Sequence, residues 1–150
     1  MSATEPGLVL FAYDGSDLAK LAIDEAGRQL ERGREAMVLT VWRPFGVGFI
    51  PPPEIQFDAA ASDQVRQAAE ETAARGASLA AAAGFRAHSM ELDYAPTWKG
   101  IDRVAHDRNA GLIVLGSHGK SGLAGVFLGS VAGAVAAHSP RSVLIVHRRR

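Results

Sequence analysis

The chain has no cysteine among its 150 residues. Disulfides, thiolate catalysis and cysteine-ligated zinc or iron–sulfur centres are therefore excluded. It also lacks an excess of either charge, because 16 basic and 16 acidic residues cancel. Non-specific nucleic-acid binding needs a broad positive surface, so no nucleic-acid partner is expected. The terminal Arg148-Arg149-Arg150 is basic but reads as a solubilising chain end. No apolar run reaches membrane-spanning length, and the amino terminus shows no basic segment leading into an apolar one and a cleavage site. No membrane partner is expected, and a soluble, cytoplasmic protein is favoured. The histidines His88, His106, His138 and His147 fall on different elements and suggest no metal cluster.

Two familiar nucleotide signatures are absent as well. Gly119-Lys120-Ser121 has the ending of a Walker loop, but that motif needs a glycine five positions before Gly119, where Val114 stands. No G-x-G-x-x-G follows the first apolar run, so a dinucleotide fingerprint is missing too.

With 47% hydrophobic and 21% charged residues, the sequence fits one globular domain spanning 1–150. Runs rich in Val, Ile and Leu at 8–13, 36–41, 112–115 and 142–147 read as buried strands, with a weaker fifth at 86–92. Helical patterns alternate with them. Val65, Ala68, Ala69, Thr72, Gly76, Leu79, Ala80 and Ala83 recur at three- and four-residue spacing and fall on one face. Further helices are expected at 17–32, with Ser16 as N-cap, and at 96–107, with Pro96 in the first turn and Trp98, Ile101 and Ala105 inward. Trp42 and Trp98 are assigned to the core, Trp42 also standing at a strand's carboxyl end. Strands alternating with helices predict an α/β fold, a five-stranded parallel doubly wound sheet covered on both faces. Ligands of such sheets bind beyond the carboxyl ends of the strands. Residues 43–61, with Pro51-Pro52-Pro53, read as a long excursion, either mobile or able to cover a ligand or touch a partner.

The most informative segment follows the fourth strand. Gly116, two residues, Gly119, nine residues, then Gly129-Ser130 lead into a small-residue helix pattern at 131–137. Glycines free the backbone N–H groups of a turn to point at one anion, and the next helix adds its positive end, so a phosphate fits here. Ser130 reads as the N-cap of that helix. Each residue also has a structural reading: Asp14 as an Asx turn, Ser130 as a simple cap, the glycines as tight packing, His118 and Lys120 as solvated loop side chains.

This spacing, with the Asp14-Gly15-Ser16 turn after the first strand, resembles the ATP-binding members of the universal stress protein family, and the likeness covers essentially the whole chain. The resemblance implies Asp14 on the ribose or adenine side and the Val41 backbone at the adenine edge. It places Gly116 near the ribose, and Gly119, Gly129, Ser130 and Val131 at the phosphates. It implies ATP, AMP or ADP as cofactor, with Mg²⁺ carried by the phosphates, and a homodimer paired through Ser142–Val146. The bound nucleotide is then a regulatory or structural ligand in a stress response, hydrolysed slowly at most. Two alternatives stay open: an ATPase or phosphotransferase assisted by Lys120 and His118, and a nucleotide-free dimeric interaction module.

Overall fold

The computed structural model describes residues 6–43, 59–119 and 128–149. In chain order the elements are β1 (Leu8–Ala12), α1 (Asp17–Gln29), β2 (Glu35–Trp42), α2 (Ala59–Ala82), β3 (Arg86–Asp93), α3 (Thr97–Asp107), β4 (Ala110–Gly116), α4 (Ser130–His138) and β5 (Ser142–Val146). They form one five-stranded sheet in the order β3-β2-β1-β4-β5, with every neighbouring pair parallel. This is the expected doubly wound α/β architecture.

Both faces of the sheet are covered. One holds Val9, Phe11 and Val38 against Ala19, Ala22, Ile23 and Ala26 of α1 and Ala80 of α2. Phe11 and Phe85 meet there edge to face at 5.2 Å. The opposite face holds Leu10, Leu39, Val41 and Ile113 against Ile101, Val104 and Ala105 of α3 and Ala132 and Val135 of α4. Alternation along each central strand feeds both layers, so β1, β2 and β4 are near-continuous apolar runs. Full burial of a side chain such as Ile23 or Ile101 stabilises the fold by about 2 kcal/mol.

Local chemistry sets the helix limits. Ser16 caps α1, its hydroxyl accepting from the Ala19 N–H at 3.2 Å. That helix stops at Gln29, earlier than the expected 32, because Gly33, at φ 89°, bonds its N–H to the Gly84 carbonyl at 2.7 Å and turns the chain into β2. Pro96 occupies the N-cap position of α3 and not its first turn. In α2 the inward face is Val65, Ala69, Thr72, Ala73, Gly76 and Ala80. Leu79, expected inside, lies at the rim of that face and is 36% exposed, and Ala83 falls beyond the helix end. Of the long excursion expected at 43–61, residues 59–61 belong to α2 and 44–58 lie outside the described residues. Trp42 is buried as expected, against Val65 and Ala69, with Nε1 donating to Glu91 Oε2. Trp98 is only half-buried, and stacks on the His138 ring at 4.7 Å.

Candidate functional site

The chain leaves β1 toward β2 and leaves β4 toward β5, in opposite directions along the sheet. The two connections therefore diverge, and sheets of this topology hold their ligands in the crevice bordered by the carboxyl ends at such a switch point. Asp14 lies on one side of it and Gly119 on the other.

On the β1 side, the last ladder bond runs from the Tyr13 N–H to the Leu39 carbonyl at 2.9 Å. The Tyr13 carbonyl then accepts the Thr40 hydroxyl at 2.8 Å. Gly15, at φ 82°, turns the chain, and the Ser16 N–H donates to Asp14 Oδ1 at 3.0 Å. The Asx-turn reading of Asp14 thus holds for one carboxylate oxygen. The other, Oδ2, faces Gly119, where a β-carbon would lie only 2.6 Å away. Tyr13 is buried beneath this turn against Gly76 of α2. Burial pushes its phenol above the ordinary value, the nearby Arg75 guanidinium opposes that shift, and the Asp14 charge adds to it.

On the β4 side, a β-carbon at Gly116 would lie 2.9 Å from Leu18 Cγ, so α1 passes too close for any side chain there. Ser117 is buried, its N–H donating to the Val146 carbonyl at 2.9 Å. Its own carbonyl accepts the Gly129 N–H at 2.7 Å, which clamps together the two ends of the glycine-rich loop. A β-carbon at Gly129 would stand 3.0 Å from that same carbonyl. His118 Nδ1 lies 3.2 Å from Ser117 Oγ. Lys120, Gly122 and Gly125 fall outside the described residues, whereas Leu128 is described and is 42% exposed.

The start of α4 differs from the expectation by one position. Gly129, extended at φ −61° and ψ 161°, is the N-cap, and its carbonyl accepts the Gly133 N–H at 2.9 Å. Ser130 is the first helical residue and is exposed, so its hydroxyl is not the cap. The N–H groups of Ser130, Val131 and Ala132 consequently have no acceptor within the helix. The two helix starts contrast sharply. The first turn of α1 has a side-chain cap and the acidic Asp17, while α4 has neither.

Val41 completes the arrangement from β2. Its side chain is buried between the sheet and the α3/α4 layer. Along a strand, backbone groups alternate between the two neighbouring strands. Because Leu39 turns its carbonyl to β1, Val41 points its own N–H and carbonyl to that side, one step past the point where β1 departs. Asp14, Val41, Gly119, Gly129, Ser130 and Val131 therefore border one end of the sheet, with Gly116 just beneath. Thr40 and Ser117, both buried and both organising this end, were not singled out from the sequence. The available signals were small: one hydroxyl in the apolar run 36–42, and a serine between Gly116 and His118.

Among the described residues no group of three or more His, Asp or Glu is placed to hold a metal ion, and no helix is long and apolar enough to cross a membrane.

The profile of the Universal stress protein family matches residues 8–147. Universal stress proteins of Mycobacterium tuberculosis and Mycobacterium bovis are each 33% identical over 152 aligned positions, which cover 94% of this chain and 45% of the relative. The chain thus spans about half the length of the curated relatives it matches. Among solved structures, hypothetical protein MJ0577 superposes with a TM-score of 0.74 at 24% identity, covering 98% of this chain and 99% of that one. A universal stress protein in complex with cAMP gives 0.67 at 25% identity, covering 96% and 98%. The universal stress protein from Archaeoglobus fulgidus in complex with dAMP gives 0.64 at 19% identity, covering 95% and 98%. The profile match runs from the first residue of β1 to just past the end of β5, and on that ground the chain belongs to the universal stress protein family.

Proposed function

We propose that this protein binds an adenine nucleotide, ATP foremost, at the β1/β4 switch point, and uses it as a regulatory or structural ligand in a stress response. The observation that carries this reading is the pairing of an uncapped helix start with a carboxylate across one crevice. The first-turn N–H groups of α4 and the positive end of its dipole suit phosphate oxygens. Asp14 Oδ2 suits the donors of a nucleoside and repels phosphate, which orients the ligand with its ribose toward β1. The Val41 backbone offers a donor and an acceptor to the adenine edge. Gly116 leaves room near the ribose, while Gly119, Gly129, Ser130 and Val131 keep the phosphate side free of bulk or line it with backbone. Two structural relatives in complex with cAMP and dAMP support the adenine class.

When bound, the nucleotide would supply phosphate charge, and any Mg²⁺ would be brought with it and need few protein ligands. Rapid hydrolysis requires a positioned base or water-orienting group at the terminal phosphate. Asp14 is occupied at the other end, and His118 Nδ1 sits against the Ser117 hydroxyl. Slow turnover at most is the corresponding reading. Binding bridges β1, β4 and α4, which gives occupancy a route to a change in shape or partner. Pairing of two copies through the outer edge of β5, and a cytoplasmic location, belong to the same proposal.

Acid extraction of the purified protein followed by chromatography identifies any resident nucleotide, and calorimetric titration with ATP and magnesium measures affinity. ATP binding that Gly129→Glu abolishes supports the site. Equal affinity in Gly129→Glu and wild type removes it. Loss of turnover with binding intact in a Lys120→Ala/His118→Ala variant selects the enzyme alternative.

A further inference from the structure

We infer that Thr40 is the positioning residue of this site. Its hydroxyl takes the Tyr13 carbonyl and so stops the β1–β2 ladder one bond early, leaving the Val41 N–H for a ligand and fixing the turn that carries Asp14. The inference rests on the nucleotide reading above and says which buried group prepares the nucleoside end of the site.

The argument is one of ladder geometry. In a parallel pair, a strand residue that donates its N–H to one partner carbonyl accepts, through its own carbonyl, the N–H two residues further along that partner. Tyr13 donates to Leu39 at 2.9 Å, so the continuing bond would run from Val41 N–H to the Tyr13 carbonyl. That carbonyl is engaged instead by Thr40 Oγ1 at 2.8 Å. Thr40 is 1% exposed, and its neighbours along β2 are apolar. A buried hydroxyl there is costly unless it is bonded, and the bond it makes is to the residue directly before Asp14. Valine at this position has nearly the same shape and satisfies β-propensity equally well. The hydroxyl therefore adds nothing that packing demands, while it settles two things at the crevice. It holds the exit of β1 against β2 just where the Asp14-Gly15-Ser16 turn begins. It also keeps the Val41 backbone pair, aimed past the end of β1, from being consumed by the sheet.

Thr40→Val and Thr40→Ser test this. In the ligand-free protein, the Val41 amide of Thr40→Val should be drawn to the freed Tyr13 carbonyl, so its NMR proton signal moves downfield and its exchange slows relative to wild type. Calorimetry with ATP and with inorganic tripolyphosphate then separates the two ends of the site. Thr40→Val should lower ATP affinity about tenfold, as expected for one lost and misplaced hydrogen-bond set. Tripolyphosphate affinity should stay at its wild-type value, and Thr40→Ser should restore ATP binding. ATP affinity unchanged in Thr40→Val, or an equal loss for both ligands, overturns the inference. Should Thr40→Val fail to fold, Thr40→Ala is judged by the same two ligands and the same amide. Wild-type protein that binds tripolyphosphate and no ATP overturns the nucleotide reading and this inference with it, whereas wild-type ATP binding with an indifferent Thr40→Val overturns this inference alone.

Discussion

Asp14 and Gly119 meet across the gap between β1 and β4, so closely that a β-carbon on Gly119 would stand 2.6 Å from Asp14 Oδ2. The atom in the way is the end of a side chain, not backbone, so Gly119→Ala can be relieved by rotating the carboxylate. Stability should fall by less than about 1 kcal/mol, within the ordinary range for substitutions that strain no backbone. Nucleotide affinity should fall about tenfold, because the displaced carboxylate is the group assigned to the nucleoside. Thermal melts and ATP titration on one sample check both halves, and a variant with wild-type affinity argues that Asp14 does not touch the ligand.

Gly76 shows the opposite balance. In an exposed helix, replacing glycine with alanine gains about 1 kcal/mol. Here the new methyl would lie 2.6 Å from Val38 Cγ1 and 2.7 Å from Tyr13 Cδ1, between a helix and a sheet with no slack. Overpacking of this kind costs about 1–3 kcal/mol, which exceeds the propensity gain. Gly76→Ala should therefore lower the urea midpoint, and a raised midpoint would show that α2 can slide on the sheet.

Much of the architecture was legible because period and punctuation agreed. Near-continuous Val, Ile and Leu marked the central strands, Ser16 marked the start of α1 though its end came earlier than the expected 32, and the helix between Gly129 and β5 was displaced by one residue only. That displacement has a local cause. Glycine can be an N-cap as readily as serine follows it into the first turn, so the residue pair alone does not fix which of them the helix claims. The misplaced Leu79 reflects the length of α2, over which several three- and four-residue spacings drift across the helix face. At the site, the glycine spacing located the loop, but the close contacts that require Gly116 and Gly119, from Leu18 and Asp14, are between segments distant in sequence. Thr40 was invisible for the same reason, its partner being the Tyr13 carbonyl on another strand.

Tyr13 gives the fold an alkaline limit. Its folded-state value lies above the ordinary 10.0, chiefly through burial. A group raised in this way supports the fold fully below its unfolded value, and that support drains away as pH climbs through the folded value. Stability should accordingly decline above about pH 10, and Tyr13→Phe should flatten that decline. The chain has two tyrosines, so in a Tyr94→Phe background the near-ultraviolet phenolate signal belongs to Tyr13 alone. Its appearance at or below the ordinary value contradicts the burial argument.

β5 is the last strand in the sheet order, and the proposed homodimer pairs through its outer edge. Because Val146 gives its carbonyl to Ser117 on the β4 side, Val143 and Ile145 turn their N–H groups outward. Proline is tolerated in an edge strand where its missing N–H faces away from the sheet. Val143→Pro should leave the monomer folded and abolish pairing, whereas Leu144→Pro removes a β4-facing donor and should destabilise the fold. Light scattering after size exclusion reads the outcome, and a Val143→Pro protein that remains dimeric moves the interface elsewhere.

The start of α4 allows a test in which stability and binding move in opposite directions. Ser130 is the first residue of the helix, no acidic residue stands in that turn, and its N-cap, Gly129, has no side chain with which to cap it. An aspartate placed there complements the dipole and should raise stability by about 0.3–1 kcal/mol. The same charge occupies the place assigned to phosphate and repels it, so ATP affinity should drop by about tenfold or more, and tripolyphosphate with it. A purely structural helix start predicts only the first effect. Ser130→Asp that melts higher yet binds ATP as tightly as wild type would place the phosphates somewhere other than α4, whereas higher melting with weakened binding is the signature of a helix terminus left uncapped for an anion.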